Sequence, residues 1–126
     1  MASPGAAAGA AAESAATRYL ELRGLQIVQR NFRCRLGEID IVAWDKQELV
    51  FVEVRLRNNL QFGSGAESVT AAKQRKLARA ARYYLLTQSR ANPDPICRFD
   101  VLSLRQRHYP YRARWQVQWI TDAFSF

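Results

Sequence analysis

Polar and apolar residues alternate with a period of two from Gly37 to Trp44 and again from Leu49 to Arg57, with D-K-Q-E between them. That is the pattern of a β-hairpin. In the first run Glu38, Asp40, Val42 and Trp44 share one face, and Ile39, Ile41 and Ala43 take the other. In the second, Leu49, Phe51, Glu53, Arg55 and Arg57 lie opposite Val50, Val52, Val54 and Leu56. A loop over Asp45–Glu48, or a tighter one at Lys46 and Gln47, sets one register: Trp44 against Leu49, Val42 against Phe51, Asp40 against Glu53, Glu38 against Arg55.

Helical spacing runs from about Ala11 to Arg23, with Ala12, Ala16, Tyr19 and Leu20 on one side and Gly24 as the stop. Residues 1–12 are low complexity and are expected to be a disordered extension, leaving 13–126 as one domain. Leu25 to Arg33 reads as a strand beside the hairpin. The Asn- and Gly-rich stretch from Arg57 to Glu67 reads as a loop, placed to act as a lid. Ser68 or Thr70 caps a helix ending near Leu86, with Leu77, Ala80, Ala81, Tyr84 and Leu85 as its apolar stripe and Arg75, Arg79 and Arg82 on another. Ile96–Leu104 is a further strand, residues 105–114 a basic aromatic loop or wide hairpin connection, and Trp115, Val117 and Trp119 mark the last strand. The order αβββαββ implies an α/β domain, a mixed central sheet flanked by helices.

The hairpin register changes what the charges mean. Two carboxylates directly opposite, about 4.5–5.5 Å apart at Cβ, disfavour folding when both are ionised. Either the pair faces water, or one acid binds a proton, or a cation sits between them. The cation option is a hard oxygen site suited to Mg²⁺ or Mn²⁺, with Arg55 placed to hold a phosphate against it. Alternating charges on a strand also read as a solvated face laced by ion pairs, and Glu38 against Arg55 fits that. Apolar Val42, Trp44, Leu49 and Phe51 on the same face point instead to a cleft. Glu13 reads as a favourable acid in a first helical turn, though its spacing puts it near the buried edge. Gln74 faces inward, as a structural hydrogen-bonding group or a holder of water or phosphate. Asp100 reads as an ion-pair partner for a neighbouring arginine, with an extra site acid as the alternative. His108 carries no assigned chemistry.

Composition narrows the partners. With 19 Lys and Arg against 11 acids, the 126-residue chain carries +8. Such an excess favours a polyanion, nucleic acid first, and no apolar run nears the ~18 residues that span a bilayer. Arg33, Arg35, Arg57, Lys73, Arg75, Lys76 and Arg79 are the candidate phosphate contacts, and Tyr109 and Tyr111 can stack on unpaired bases. Cys34 and Cys97 lack a metal or redox spacing and read as reduced thiols of a cytoplasmic protein.

G-E-I-D-I-V-A followed by V-F-V-E-V-R resembles the Asp, spacer, Glu-x-Lys motif of the restriction-endonuclease-like, PD-(D/E)XK, nucleases. Within that superfamily, the segment from about Glu13 to Phe124 is similar to the YraN-like family of small bacterial proteins, related to Holliday junction resolvases. The resemblance implies a restriction-endonuclease-like core and a metal-dependent nuclease acting on DNA, branched DNA included. It makes Asp40, Glu53 and Glu13 the ligands of Mg²⁺ or Mn²⁺, and puts Arg55 where Lys is usual. It also brings Gln74 into the site through K-Q-R-K-L. Junction-cutting relatives are dimers, so a homodimer is expected. Arg stays protonated and cannot serve as general base, which leaves a non-catalytic nucleic-acid- or partner-binding module as the alternative.

Overall fold

The computed structural model describes residues 4–57, 69–88, 94–109 and 112–125. In chain order the elements are α1 (Pro4–Leu22), β1 (Gln26–Cys34), β2 (Gly37–Asp45), β3 (Glu48–Leu56), α2 (Ala71–Thr87), β4 (Ile96–Tyr109) and β5 (Arg112–Phe124). The strands form one mixed sheet in the order β1-β2-β3-β4-β5, in which only β3 and β4 run parallel. The expected α/β order is therefore present.

Among the described residues each face of the sheet carries one helix. Ala16 and Leu20 of α1 pack with Ile41, Val50, Val52, Leu102 and Leu104. Leu77, Ala80, Ala81 and Tyr84 of α2 pack with Val42, Phe51 and Val101 on the other side. Helix α1 stops in a Schellman motif: Gly24, at φ 91°, donates to the Glu21 carbonyl at 3.0 Å and Leu25 to that of Leu20 at 3.1 Å. Of the two candidate caps for α2, Thr70 is the N-cap, its hydroxyl accepting from the Lys73 N–H at 3.2 Å. Ser68 lies outside the described residues, as do the expected lid at 58–67 and the Tyr111 stacking position.

Two expectations are corrected. Residues 4–12 are helical rather than a disordered extension, because alanine is the strongest helix former and needs no large side chain to continue a packed helix. Ala12 is itself in the core. Residues 105–109 and 112–114 are strand rather than loop, since β4 and β5 pair continuously to Tyr109 and Arg112. Charge density there masks the alternation. Helix α1 is Ala-rich, yet among the described residues no helix is long and apolar enough to cross a membrane.

At the hairpin-turn end an ionic knot fixes the strand register. Asp100 is fully buried and takes Arg98 Nε at 3.1 Å, Trp119 Nε1 at 2.9 Å and the Asp122 N–H at 2.9 Å. The Asp122 N–H is freed by a bulge where that residue adopts φ 50°. Arg98 also reaches Asp45 at 2.8 Å and Glu48 at 2.6 Å, tying the hairpin to β4. Asp100 is thus the ion-pair partner and not a site acid. Replacing Asp100 with Ala orphans the indole and bulge donors and should lower the unfolding free energy by about 3 kcal/mol. Urea denaturation reads this directly, with exposed Thr121→Ala as the control that stays within about 0.5 kcal/mol.

Candidate metal centre

Strands β2 and β3 pair from Asp45 and Glu48 to Ile41 and Val52, as the alternation required, with a two-residue turn at Lys46 and Gln47. Beyond that point the ladder ends. Asn31, at φ 55°, lies level with Asp40 between the pairs Arg30–Ile41 and Phe32–Ile39. Here both strands switch faces: Arg30 reaches Ser14 of α1, whereas Phe32 meets Tyr84 of α2 edge-on at 5.2 Å. Asp40 occupies the crossing, and its carboxylate, rather than a backbone carbonyl, accepts the Val54 N–H at 2.8 Å.

Glu53 stands beside it. Its side chain is 4% exposed and shares a hydrogen bond with Asp40. The two carboxylates therefore meet in a sheltered position, although Asp40 does so from the gap between strands and not as a ladder partner. Glu38 is not the ladder partner of Arg55, because the β2–β3 ladder ends at Ile41–Val52. It pairs with Arg33 on β1, Nε to Oε2 at 3.4 Å, and both are well exposed, so that part of the strand is an ordinary solvated face.

Burial and the neighbouring Asp40 charge push Glu53 up to about 7, against the opposing pull of Lys73. Asp40 is also raised, by burial, with the Val54 N–H opposing. Of the three ways to relieve the repulsion, the raised Glu53 hydrogen-bonded to Asp40 favours a proton held within the pair.

Lys73 is the residue whose role the sequence understates. Its Nζ lies 3.1 Å from Glu53 Oε1, closer than Arg55 Nη1 at 3.9 Å. A signal existed, since Lys73 stands four residues before buried Leu77, on the stripe that α2 turns to the sheet. Gly37 permits the approach: a Cβ there would stand 3.0 Å from the Lys76 carbonyl oxygen. Gln74 donates its amide to the Val69 carbonyl at 3.0 Å, the structural alternative read from the sequence.

Glu13 lies mid-helix and not in a first turn, because α1 begins at Pro4. Its Oε1 is buried and has no hydrogen-bond partner among the described residues. Burial, then the Asp40 charge, raises its pKa, with Arg30 opposing. Among the described residues no three His, Cys, Asp or Glu side chains converge closely enough to form a ready ligand cluster. Asp40 and Glu53 form the pair, and Glu13 lies within electrostatic reach of Asp40 without joining it.

The candidate phosphate contacts separate into groups. Arg33, Arg35, Lys73 and Lys76 line one cavity of about 430 Å³ between the β1–β2 turn and the start of α2. Arg75 and Arg79 are exposed on α2 but do not line it, and Arg57 closes β3 with its N–H on the Leu104 carbonyl at 2.7 Å. Cys34 and Cys97 are free thiols.

Comparison with known proteins places this geometry in a family. The model of uncharacterised protein family UPF0102 matches residues 12–104, a span that includes Glu13, Asp40, Glu53 and Lys73. The chain belongs to UPF0102. A UPF0102 protein of Janthinobacterium sp. (strain Marseille) is 49% identical over 94% of this chain and 87% of its own length. Those of Nitrosospira multiformis and Nitrosococcus oceani are 45% and 43% identical, over 90% and 92% of this chain and 89% and 90% of their own lengths.

The raised Glu53 makes a pH prediction with a definite sign. Folded, Glu53 keeps its proton to about pH 7; unfolded, it releases it near 4.5. The folded state therefore binds more protons between those values, and stability falls as pH rises through them. In chelator, wild type should lose about 1–3 kcal/mol between about pH 5 and about pH 8, an amount largely absent from Glu53→Gln, whose amide still donates to Asp40. Thermal melts across that range measure it, and parallel curves for the two proteins would contradict the shared proton.

Proposed function

We propose that this UPF0102 protein is a divalent-metal-dependent phosphodiesterase acting on DNA. The carrying observation is the sheltered Asp40–Glu53 pair, whose repulsion a proton, a metal ion or the Lys73 ammonium offsets, with a buried Glu13 oxygen, unpartnered among the described residues, within electrostatic reach of Asp40. The motif resemblance to restriction-endonuclease-like nucleases names the same three acids.

These oxygens fit Mg²⁺ or Mn²⁺. Asp40 and Glu53 would hold the ion, and Glu13 would complete the site by a small approach or through water. When bound, the ion lowers the pKa of water and offsets charge developing on the phosphate. The protein's own groups divide the remaining work. The Val54 N–H holds Asp40 in its ionised orientation. Lys73 neutralises Glu53 as it gives up its proton. Arg55 holds the phosphate charge but cannot take a proton. Glu13, its pKa raised by burial, is the remaining carboxylate that would accept one. Arg33, Arg35 and Lys76 offer positive charge along the adjoining cavity.

A second reading, a nucleic-acid-binding module with an inert acid pair, draws on Arg55 in place of lysine and on the unclosed ligand set. Cleavage decides between them. Linear, single-stranded and branched DNA with Mg²⁺ or Mn²⁺ should be cut by wild type and about 100-fold or more slowly by Asp40→Asn and Glu53→Gln. Wild type as inactive as both variants on every substrate would leave the binding module.

Metal binding has its own readout. At about a hundredfold excess over its dissociation constant, Mg²⁺ should stabilise wild type by about 2.7 kcal/mol. Glu53→Gln should lose most of that melting shift, and equal shifts would remove the ion from this pair.

A further inference from the structure

Strand β3 accompanies β4 only as far as the pair Leu56–Leu104. Beyond it, among the described residues, β4 has β5 alone as a neighbour, through the pairs Arg105–Gln116, Gln106–Trp115 and Arg107–Arg114. A two-stranded ribbon therefore projects from the sheet, at the end toward which β3 runs from Glu53 to Arg57. Its two faces differ. Trp115 continues the apolar layer under α1 with Leu104 and Val117. Arg105, Arg107, Arg114 and Gln116 lie on the opposite face, which by alternation is that of Val101 and of its partner Glu53.

This face concentrates positive charge. From Ser103 to Ile120 the sequence holds four arginines and no Asp or Glu. Arg105 and Arg107 converge on one neutral oxygen, Gln116 Oε1, at 3.0 and 2.9 Å. Arg107 stands directly opposite Arg114, and like charges so paired cost stability. Arg107 and Arg114 are exposed, and the recess they line with Trp115 and Gln116 measures about 270 Å³. An anionic polymer would offset the repulsion and take the guanidinium donors that Gln116 holds in place.

We propose that the β4–β5 ribbon is a second nucleic-acid contact, an arginine clamp for the phosphate backbone of a duplex lying along the face that carries Glu53. It rests on the nucleic-acid part of the proposed function and not on cleavage. Arg105 and Arg107 stand four and six residues beyond Val101, about 13–20 Å from the level of Glu53 at ~3.3 Å per residue. That is close to half a turn of duplex, ~17 Å. A single duplex thus reaches both places only when it is longer than about five base pairs.

Fluorescence anisotropy in chelator tests the ribbon without cleavage. The probes are a labelled duplex of about 20 base pairs and a hairpin-closed stem of about 3, too short to span the two places. R105Q/R107Q/R114Q should bind the long duplex about tenfold or more weakly, with the slope of log affinity against log salt reduced by about 2–3, and should bind the short stem nearly as wild type does. R105K/R107K/R114K, which keeps the charge, should retain the salt slope, and melting curves of both variants report the fold. If these arginines serve only to keep an edge strand from pairing, the glutamine variant will match wild type on the long duplex, and the proposal fails. Wild type that binds phosphatidylserine vesicles but no DNA also overturns it, in favour of a lipid surface. Ribbon-dependent binding without Mg²⁺-dependent cutting keeps the clamp and rejects the nuclease; cutting with ribbon-independent binding does the reverse.

Discussion

Two acidic side chains held against each other where β2 and β3 part company are the constraint around which this molecule is built. Ionised carboxylates about 4 Å apart repel by about 4 kcal/mol at the effective dielectric of a partly buried site. A side chain on a mobile loop would swing away. Neither acid has that freedom. Glu53 is fixed by β3, whose register with β4 is locked from the far end by Arg98 on Asp45, Glu48 and Asp100. Asp40 is fixed by its bond to the Val54 N–H. Stability supplied at one end of the sheet offsets the repulsion kept at the other, and the pair's charge is left to a proton, a cation, or the nearby ammonium of Lys73.

What could be read from the sequence was what local rules decide. Period-two alternation located the hairpin and its register up to Val42 and Phe51, and Gly24 and Thr70 marked helix ends because capping depends on a few neighbouring backbone groups. The meeting of Asp40 with Glu53 was legible for the same reason. Its geometry was not. Alternation assumes a regular ladder, whereas Asn31 at φ 55° turns both strands over and frees the gap that Asp40 fills. Lys73 reaches Glu53 only because α2 lies close upon Gly37, a tertiary contact with no local signature beyond one lysine on an apolar stripe. The strand at 105–109 was hidden by composition: arginine density looks like a solvated loop, yet backbone pairing with β5 decides the conformation.

Asp100 and the Asp40–Glu53 pair show why burial alone does not separate structure from chemistry. All three are shielded acids on neighbouring strands, and the sequence offers each as a candidate. Both Asp100 oxygens are taken, by a guanidinium, an indole and a backbone N–H, so that this carboxylate has nothing left to bind. On the other side of β3 the count is short. Glu53 has Asp40 as a hydrogen-bond partner, with Lys73 at 3.1 Å and Arg55 at 3.9 Å, and Glu13 keeps an oxygen shut from water with no donor among the described residues. A buried carboxylate without donors costs free energy that folding alone gives no reason to retain. Full satisfaction therefore marks the acid that holds the sheet together, and the shortage of donors is what singles out the acids proposed to hold a cation.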